Sequence, residues 1–600
     1  MSGRALAERW LRAHGAPDAR QAAIVGMRRA ARYPAPVGAS WERVIGVLDR
    51  VAPLVALGRP GRASRLDDER FLRLDRAMSQ HRVRELRLAW LLLRAPLIEA
   101  LYADPAPHPP VHPLDDLQDV IRERASLRHD RFDAIVIGSG AGGAPVASVL
   151  ARAGMDVAIV EAGGLLRADT AEGAVERTFL DQGMLGSLEG GGMTLVLAGS
   201  AIGGTTVINS GTSLRPLQRQ LEDWDRQVGT RFGEGELEGY LDRVVDHLGI
   251  APLPEERLDA SARLVREGLR ALGREGAFLL PRNAPGCQGA ARCCFGCPNG
   301  AKLSTDRSYV PEAVAAGATL LANTVARGIR EERDGVVVLV DGPSGLRRIR
   351  APRLVLAAGA IGTPGLIRRN RLGERHAVAG DGLRIHPASK VFGWMPEPLP
   401  HGGVPQALGY HAEELPRVTF EGAHTPPAVT ATVLQAAGER HRAWMVHHDH
   451  LANYGMMVRD RGTGSVREVG GRRIIRYALH DDDARDLGAA LLLASEALFA
   501  AGAERVVLPL AGREAEVEGR AALAAIRPDD FQRKNLITSG FHPQGTAGIG
   551  RVVDADLRLL GSARISVADA SVLPDSPGVN PQVTIMALAL RLADRLVREG

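Results

Sequence analysis

Asp133-Ala134-Ile135-Val136-Ile137-Gly138-Ser139-Gly140-Ala141-Gly142-Gly143 is the stretch that decides the fold. Its apolar run from Ala134 to Ile137 is short, the pattern of a strand buried on both faces. The glycines force a turn, and Pro145 to Ala153 reads as the helix that follows. Asp156-Val157-Ala158-Ile159-Val160 is a second buried strand, ending at Glu161. Strand, glycine turn, helix and strand within about 30 residues form a dinucleotide-binding unit. Gly138 makes the tight turn, Gly140 lets a pyrophosphate approach the backbone, and Gly143 lets helix and strand pack closely. Free N–H groups at the helix N-terminus favour phosphate. Glu161 lies 23 residues after Gly138, where an acidic side chain accepts hydrogen bonds from an adenosine ribose. These residues leave NAD and FAD both open.

The rest of the chain sets limits on partners. At 600 residues it is too long for one core, so at least two domains are expected. Net charge is +5 and the basic residues are nearly all Arg, with Lys only at 302, 390 and 534. The arginines are scattered among Asp and Glu, so no nucleic-acid partner is expected. Met1 to Glu8 has no apolar core followed by a cleavage site and is not a secretory signal. The four cysteines all fall between Cys287 and Cys297 rather than spreading to close long loops. Both features place the chain in the cytoplasm. The apolar stretch Ala89 to Tyr102 is interrupted by Arg94, Pro96 and Glu99 and is shorter than the roughly 20 residues of a membrane span. It is expected as a buried or interfacial helix, with membrane contact peripheral at most.

Residues 1–125 read as a helical extension, with Val83, Leu86, Leu88, Trp90 and Leu91 at helical spacing. The proline-rich segment 104–114 cannot be helix and reads as a linker. Arg353 to Ala360 is another strand entering a glycine turn. Residues 430–480 alternate apolar and polar, as antiparallel strands do. Within them His447-His448-Asp449-His450 reads as ordinary sheet, with His448 and His450 on one face and no metal partner. Helices are expected at Ala484–Ala503 and Thr584–Val597.

Four further motifs decide the cofactor. Gly199-Ser200-Ala201-Ile202-Gly203-Gly204-Thr205-Thr206-Val207-Ile208-Asn209 resembles the second flavin-binding motif of the glucose–methanol–choline (GMC) oxidoreductases. His542-Pro543-Gln544-Gly545-Thr546 resembles that family's active-site histidine loop. Val567 to Pro574, with Asp569 and Ala570, and then Asn580-Pro581-Gln582-Val583-Thr584 follow in the family's order. Ala357 to Pro364 is a fourth match. The resemblance spans about 131–600. It implies an α/β fold: a Rossmann-like FAD-binding domain from 131–215, 285–390 and 535–600, and an antiparallel-sheet substrate domain from 216–284 and 391–534. Cys293 to Lys302, Arg459 to Val466, Arg384-Ile385-His386-Pro387 and the N-terminal extension are similar to the long-chain (fatty) alcohol oxidase branch.

The resemblance implies oxidation of an alcohol by hydride transfer to flavin N5. His542 is then the general base, since imidazole suits removal of a hydroxyl proton near neutral pH. Asn580 hydrogen-bonds the substrate oxygen. Gly203, Gly204, Thr205, Asn209, Asp569, Ala570 and the backbone of Val325 join Gly138, Gly140, Gly143 and Glu161 as cofactor contacts. The expected substrate is a small-molecule alcohol of long-chain or lipophilic type, with oxygen or an electron carrier as acceptor. The competing readings are a sterol or sugar-type dehydrogenase feeding a quinone or cytochrome, a flavin-fold lyase or decarboxylase, and a non-catalytic flavoprotein subunit. Cys287, Cys293, Cys294 and Cys297 admit a strained local disulfide, free thiols, zinc or an iron–sulfur cluster.

Overall fold

The computed structural model describes residues 2–30, 37–102, 129–166, 186–187, 193–295, 297–400, 402–422, 424–511 and 515–600. The expected linker at 104–114 lies outside them. Ala134–Ile137 is fully buried and pairs in parallel with Val157–Val160 on one side and Arg353–Leu356 on the other. Ile565–Val567 and Thr319–Leu321 complete a five-stranded parallel sheet, placed at its two edges. Helices cover such a sheet, which is why its strands are apolar on both faces. Gly143–Arg152 packs against the closing helix Gln582–Arg598, whose Val583, Ile585, Met586, Leu588 and Leu592 are buried. Each such fully buried side chain contributes roughly 1.5–3 kcal/mol.

A second sheet runs Val418–Phe420, Leu451–Val458, Pro387–Trp394, Ile537–Gly540, Met193–Val196 and Gly186–Ser187, with Arg505–Val507 and Glu516–Glu518 branching from Pro387–Trp394. Its pairings are antiparallel except that Ile537–Gly540 lies parallel to Met193–Val196. Those two strands come from stretches that otherwise surround the glycine turns, so they couple the two sheets.

The alternation across 430–480 is only partly sheet. Pro427–Val433 and Gly438–Val446 are helices, His448–His450 is a short 3-10 turn, and strands begin at Leu451. Tertiary packing overrides the pattern, because these helices bury Trp444 and Met445 against the N-terminal helices. His448 and His450 are therefore not on a strand face.

Among the described residues of the N-terminal extension there are five α-helices, Ser2–Ala13, Ala19–Ala30, Val37–Leu57, Asp68–Ser79 and Arg84–Tyr102. Trp90, Leu93, Leu97 and Ile98 of the last are buried, so the apolar stretch is a core helix. No described helix is long and apolar enough to cross a membrane. Asp75 is the centre of this bundle, with no exposed surface. Its carboxylate accepts from Trp10 Nε1 at 3.1 Å, Trp90 Nε1 at 2.7 Å and Gly438 N at 2.8 Å. His14 and Arg94 face it at 3.5 and 3.7 Å. Burial raises this carboxyl's pKa, but Arg94, His14 and Trp90 overcome that and hold it far below the usual carboxylate range. The bond to Gly438 ties the extension to the helix Gly438–Val446, so the bundle is docked.

Asp75→Ala leaves both buried indole N–H groups without their acceptor and Arg94 without its carboxylate partner. We expect a loss of about 3–5 kcal/mol, read as a lower unfolding midpoint in urea. A midpoint unchanged from wild type would show that the hub carries no stability. The folded pKa lies below the unfolded one, so the contribution is present above the unfolded value of about 3.9 and is lost as pH falls below it.

Candidate active site

The first glycine turn is built by close packing. A Cβ on Gly138 would stand 2.1 Å from the Ala357 carbonyl oxygen, and one on Gly143 would stand 2.0 Å from that of Gly138. Gly142, which spacing did not single out, is tighter: its Cβ would stand 1.6 Å from the oxygen of Ala568. Gly140 differs. A Cβ there would find nothing nearer than the Cα of Gly204 at 3.7 Å. The space over Gly140 is thus left free by the protein, as a pyrophosphate cradle requires.

The second motif meets the first at that point. Gly203 and Gly204 both have left-handed backbones, with φ of 94° and 54°, and Gly203 N donates to Ser139 Oγ at 2.9 Å. Glu161 binds the turn from the other side: its carboxylate accepts from Ser139 N at 3.0 Å, Ser139 Oγ at 2.7 Å and Gly163 N at 2.8 Å. Burial holds the Glu161 carboxyl above its usual range, and those bonds offset only part of the rise. Val325 follows Thr324, whose N–H donates to the Glu161 carbonyl at 2.8 Å. Thr205 is exposed and its Oγ1 accepts from Gly199 N at 3.0 Å. Asn209 donates to Gln582 Oε1 and accepts from Gly211 N at 3.0 Å.

Asp569 clamps two turns. One oxygen accepts from Ser571 N at 2.8 Å, and the other from Gly359 N at 2.9 Å and Thr363 Oγ1 at 2.6 Å. Ala570 accepts from Gly545 N at 3.0 Å and so joins this clamp to the histidine loop. Gln544, Ser571, Gln582 and Thr584 carry buried polar side-chain atoms with no protein partner. Such atoms are completed by a ligand or water. Together with the space over Gly140, they fit a flavin dinucleotide.

The histidine loop lies where three distant segments meet. Arg384 and Gln544 exchange backbone bonds at 3.0 and 2.9 Å, and His542 N donates to the Ile385 carbonyl at 3.3 Å. This pairing sets His386 Nδ1 3.1 Å from His542 Nδ1, with the rings perpendicular. His386 Nε2 hydrogen-bonds Ser576 Oγ. On the other side, His542 Nε2 stands 3.5 Å from Asn580 Nδ2. Burial pushes His542 down to about 4. Burial and the neighbouring His542 keep His386 well below the usual imidazole range. Both rings are therefore neutral near pH 7.

Glu421 was not visible from spacing. It follows the strand Val418–Phe420, is buried, and has Asn580 and Gln406 against its carboxyl group. Burial pushes it up to about 7. His386 and Ser576 were also missed as site residues. Only the His386-Pro387 pair within the quoted Arg384 motif carried a signal for them.

The cysteines do not support an iron–sulfur cluster. All four are free thiols. Burial pushes Cys293 up and Cys294 up to about 11. Among the described residues no three of the sulfurs lie within 4.8 Å of one another, whereas tetrahedral zinc sets them about 3.8 Å apart. Cys293 Sγ accepts from Arg282 Nη2 at 3.3 Å. The segment has a packing role instead: Lys302 Nζ donates to the carbonyls of Cys293, Val207 and Asn209 at 2.8, 2.9 and 2.7 Å. It thus fastens the second glycine motif.

The parallel sheet with its glycine turn, and the histidine and amide that converge at the histidine loop, are the arrangement of an oxidoreductase acting on CH–OH groups, and the family matches show that class. Residues 132–388 and 469–589 match the GMC oxidoreductase family models, and the chain belongs to that family, whose members bind FAD. It is 37% identical over 488 residues to an uncharacterized GMC-type oxidoreductase of Mycobacterium tuberculosis, covering 78% of this chain and 76% of that one. It is 26% identical over 499 residues to a long-chain-alcohol oxidase of Arabidopsis thaliana, covering 76% of this chain and 67% of the relative. Among solved structures, pyridoxine 4-oxidase from Mesorbium loti has the same fold, with a TM-score of 0.60 at 20% identity, over 77% of this chain and 98% of that one.

Proposed function

We propose that this protein oxidises the hydroxyl of a long-chain or otherwise lipophilic alcohol to the aldehyde. The observation that carries the reading is the 3.5 Å separation of His542 Nε2 and Asn580 Nδ2. Two atoms that far apart can both reach one hydroxyl oxygen at hydrogen-bond distance. His542 accepts the hydroxyl proton at Nε2, and Asn580 donates to the oxygen as negative charge develops there. FAD, when bound, supplies the hydride acceptor. Gly138, Gly140, Gly143, Glu161, Gly203, Gly204, Thr205, Asn209, Val325, Asp569 and Ala570 are proposed to hold it. In this reading 131–215, 285–390 and 535–600 form the flavin domain, and 216–284 with 391–534 roof it. Phe541, 44% exposed beside the base, offers apolar surface to such a substrate. The Arabidopsis relative's name supports the same substrate class.

A panel of straight-chain alcohols, a sterol and a sugar, each with an artificial acceptor and with or without oxygen, tests the reading. Long-chain alcohols are expected to bleach the flavin fastest. Preference for the sugar, or no bleaching by any alcohol, would sink it.

Glu421 adds a pH dependence. It is neutral below about 7, and its ionisation above that places a negative charge near the oxygen that Asn580 binds. Substrate-driven flavin reduction should therefore fall about tenfold per pH unit on the alkaline side. Glu421→Gln should lack that fall, and stopped-flow reduction across the range compares the two.

A further inference from the structure

His542 has two ring nitrogens, and it can act as a base at Nε2 only if its single proton sits on Nδ1. The surroundings of the ring bear on that choice. Asn580 Nδ2 brings N–H groups to the Nε2 side at 3.5 Å, which disfavours a proton on Nε2. His386 Nδ1 lies 3.1 Å from His542 Nδ1. Two imidazole nitrogens in contact share one proton: two protons clash, and two lone pairs repel. With Nε2 bare, the shared proton belongs to His542 Nδ1, and His386 must accept it. His386 then carries its own proton on Nε2, where Ser576 Oγ is within hydrogen-bond reach. Every donor in this chain points one way, from Asn580 through His542 and His386 to Ser576.

We propose that His386 is a positioning residue for the general base, holding His542 in the tautomer that leaves Nε2 free and accepting from Nδ1 while the substrate proton is taken. The inference rests on the alcohol-oxidising reading of His542. In the step itself the O–H bond of the alcohol breaks and an N–H bond forms at His542 Nε2. The imidazolium so made keeps its Nδ1–H on the lone pair of His386, and no other bond changes on the histidines. An uncharged imidazole suits this task, since a neutral ring can receive the bond and a protonated one cannot.

The backbone supports a role beyond packing. His386 sits at φ 50°, a conformation that non-glycine residues rarely adopt, and it has no exposed surface. It is held there on both flanks. Ile385 N donates to Asp460 Oδ2 at 3.0 Å, and Arg384 pairs with Gln544. Strained positions of this kind cluster where geometry serves chemistry. The charged and titratable groups around the pair include Arg459, which acts on His386, Asp460 on the Ile385 N–H, the Arg384–Asp575 ion pair, and Glu421 beyond Asn580. Ser576 adds a neutral hydroxyl.

The test uses the FAD-loaded enzyme and anaerobic stopped-flow reduction by a long-chain alcohol. His386→Leu removes the acceptor, and kcat should fall about 100-fold while KM stays within about threefold and the flavin spectrum is kept. His386→Asn restores an oxygen that can accept from Nδ1 and should recover at least a tenth of the wild-type rate. Added imidazole should raise the rate of His386→Ala but not of His386→Leu, whose side chain fills the space. A His386→Leu rate within about threefold of wild type overturns the inference, as does a His386→Asn rate no better than that of His386→Leu. For any variant that loses FAD, the wild-type protein provides the deciding measurement. Nitrogen-15 NMR of its histidines should show one ring protonated at Nδ1 and its neighbour at Nε2, and the reverse assignment overturns the inference. Normal reduction in His542→Ala would mark failure of the alcohol-oxidising reading itself, whereas a dead His542→Ala beside an active His386→Leu confines the failure to His386.

Discussion

Replacing His542 by alanine should lower substrate-driven flavin reduction by about 10²–10⁴-fold while FAD stays bound. The alcohol is a very weak acid, so transfer of its hydrogen as hydride waits on removal of the hydroxyl proton. Among the described residues beside Asn580, His542 is the nitrogen base within reach, and its ring is neutral from about pH 4 upward. Burial disfavours the imidazolium, so the protonated, inactive form accumulates only at acid pH. Activity should therefore lose its acid side near pH 4 rather than near the free imidazole's 6.5. The cofactor contacts proposed at Gly138, Gly203 and Asp569 do not involve His542, which is why flavin content is expected to survive. Near-wild-type reduction in this variant, measured anaerobically with a long-chain alcohol, would rule out His542 as the base.

The second large effect separates two glycines of one turn. Gly142→Ala puts a Cβ 1.6 Å from the Ala568 carbonyl oxygen. The obstacle is backbone, next to the strand Ile565–Val567 at the edge of the parallel sheet, and cannot swing aside. A clash of that depth moves main chain, and overpacking of this kind costs about 3 kcal/mol or more. Gly142→Ala should unfold at lower denaturant and hold little FAD. Gly140→Ala adds the same methyl group two residues earlier, where the nearest protein atom is 3.7 Å away. Its stability should lie within about 1 kcal/mol of wild type, and the loss should appear in FAD affinity, because the methyl group intrudes where the pyrophosphate approaches. Parallel urea titrations of the two apoproteins and flavin binding to each would separate the cases. Equal stability losses would mean that both glycines are packing residues and that the cradle lies elsewhere.

The extension and the helices Pro427–Val433 and Gly438–Val446 show how far local pattern reaches. Helical spacing marked residues 1–125 as a helical extension, and the described part of it, within 2–30 and 37–102, forms helices. The alternation across 430–480 suggested strands, yet the first part is helical because Trp444 and Met445 have the N-terminal bundle to pack against. Alternation alone cannot report a partner that lies about 360 residues away along the chain, as Asp75 does from Gly438. The cysteine run likewise allowed four chemistries from spacing. Its burial, with Lys302 bonded to three carbonyls beside it, made it a packing element of the second glycine motif.

What the sequence determined by itself was the part of the protein whose chemistry is local. A strand, a turn that only glycine can make and a helix start must be contiguous, so Gly138 to Gly143 and Glu161 could be read without a structure. His542 and Asn580 could be proposed as the reacting pair because each lies in a short motif with its own signature. Tertiary structure decided which glycine is closely packed and which faces open space, because that depends on whether Ala568 or nothing faces the missing side chain. It also decided what surrounds the base. His386 lies 156 residues from His542, and Glu421 reaches Asn580 from the second sheet. Those contacts arise from the pairing of Arg384 with Gln544 and the joining of two sheets, and long-range backbone pairing leaves no periodicity along the chain.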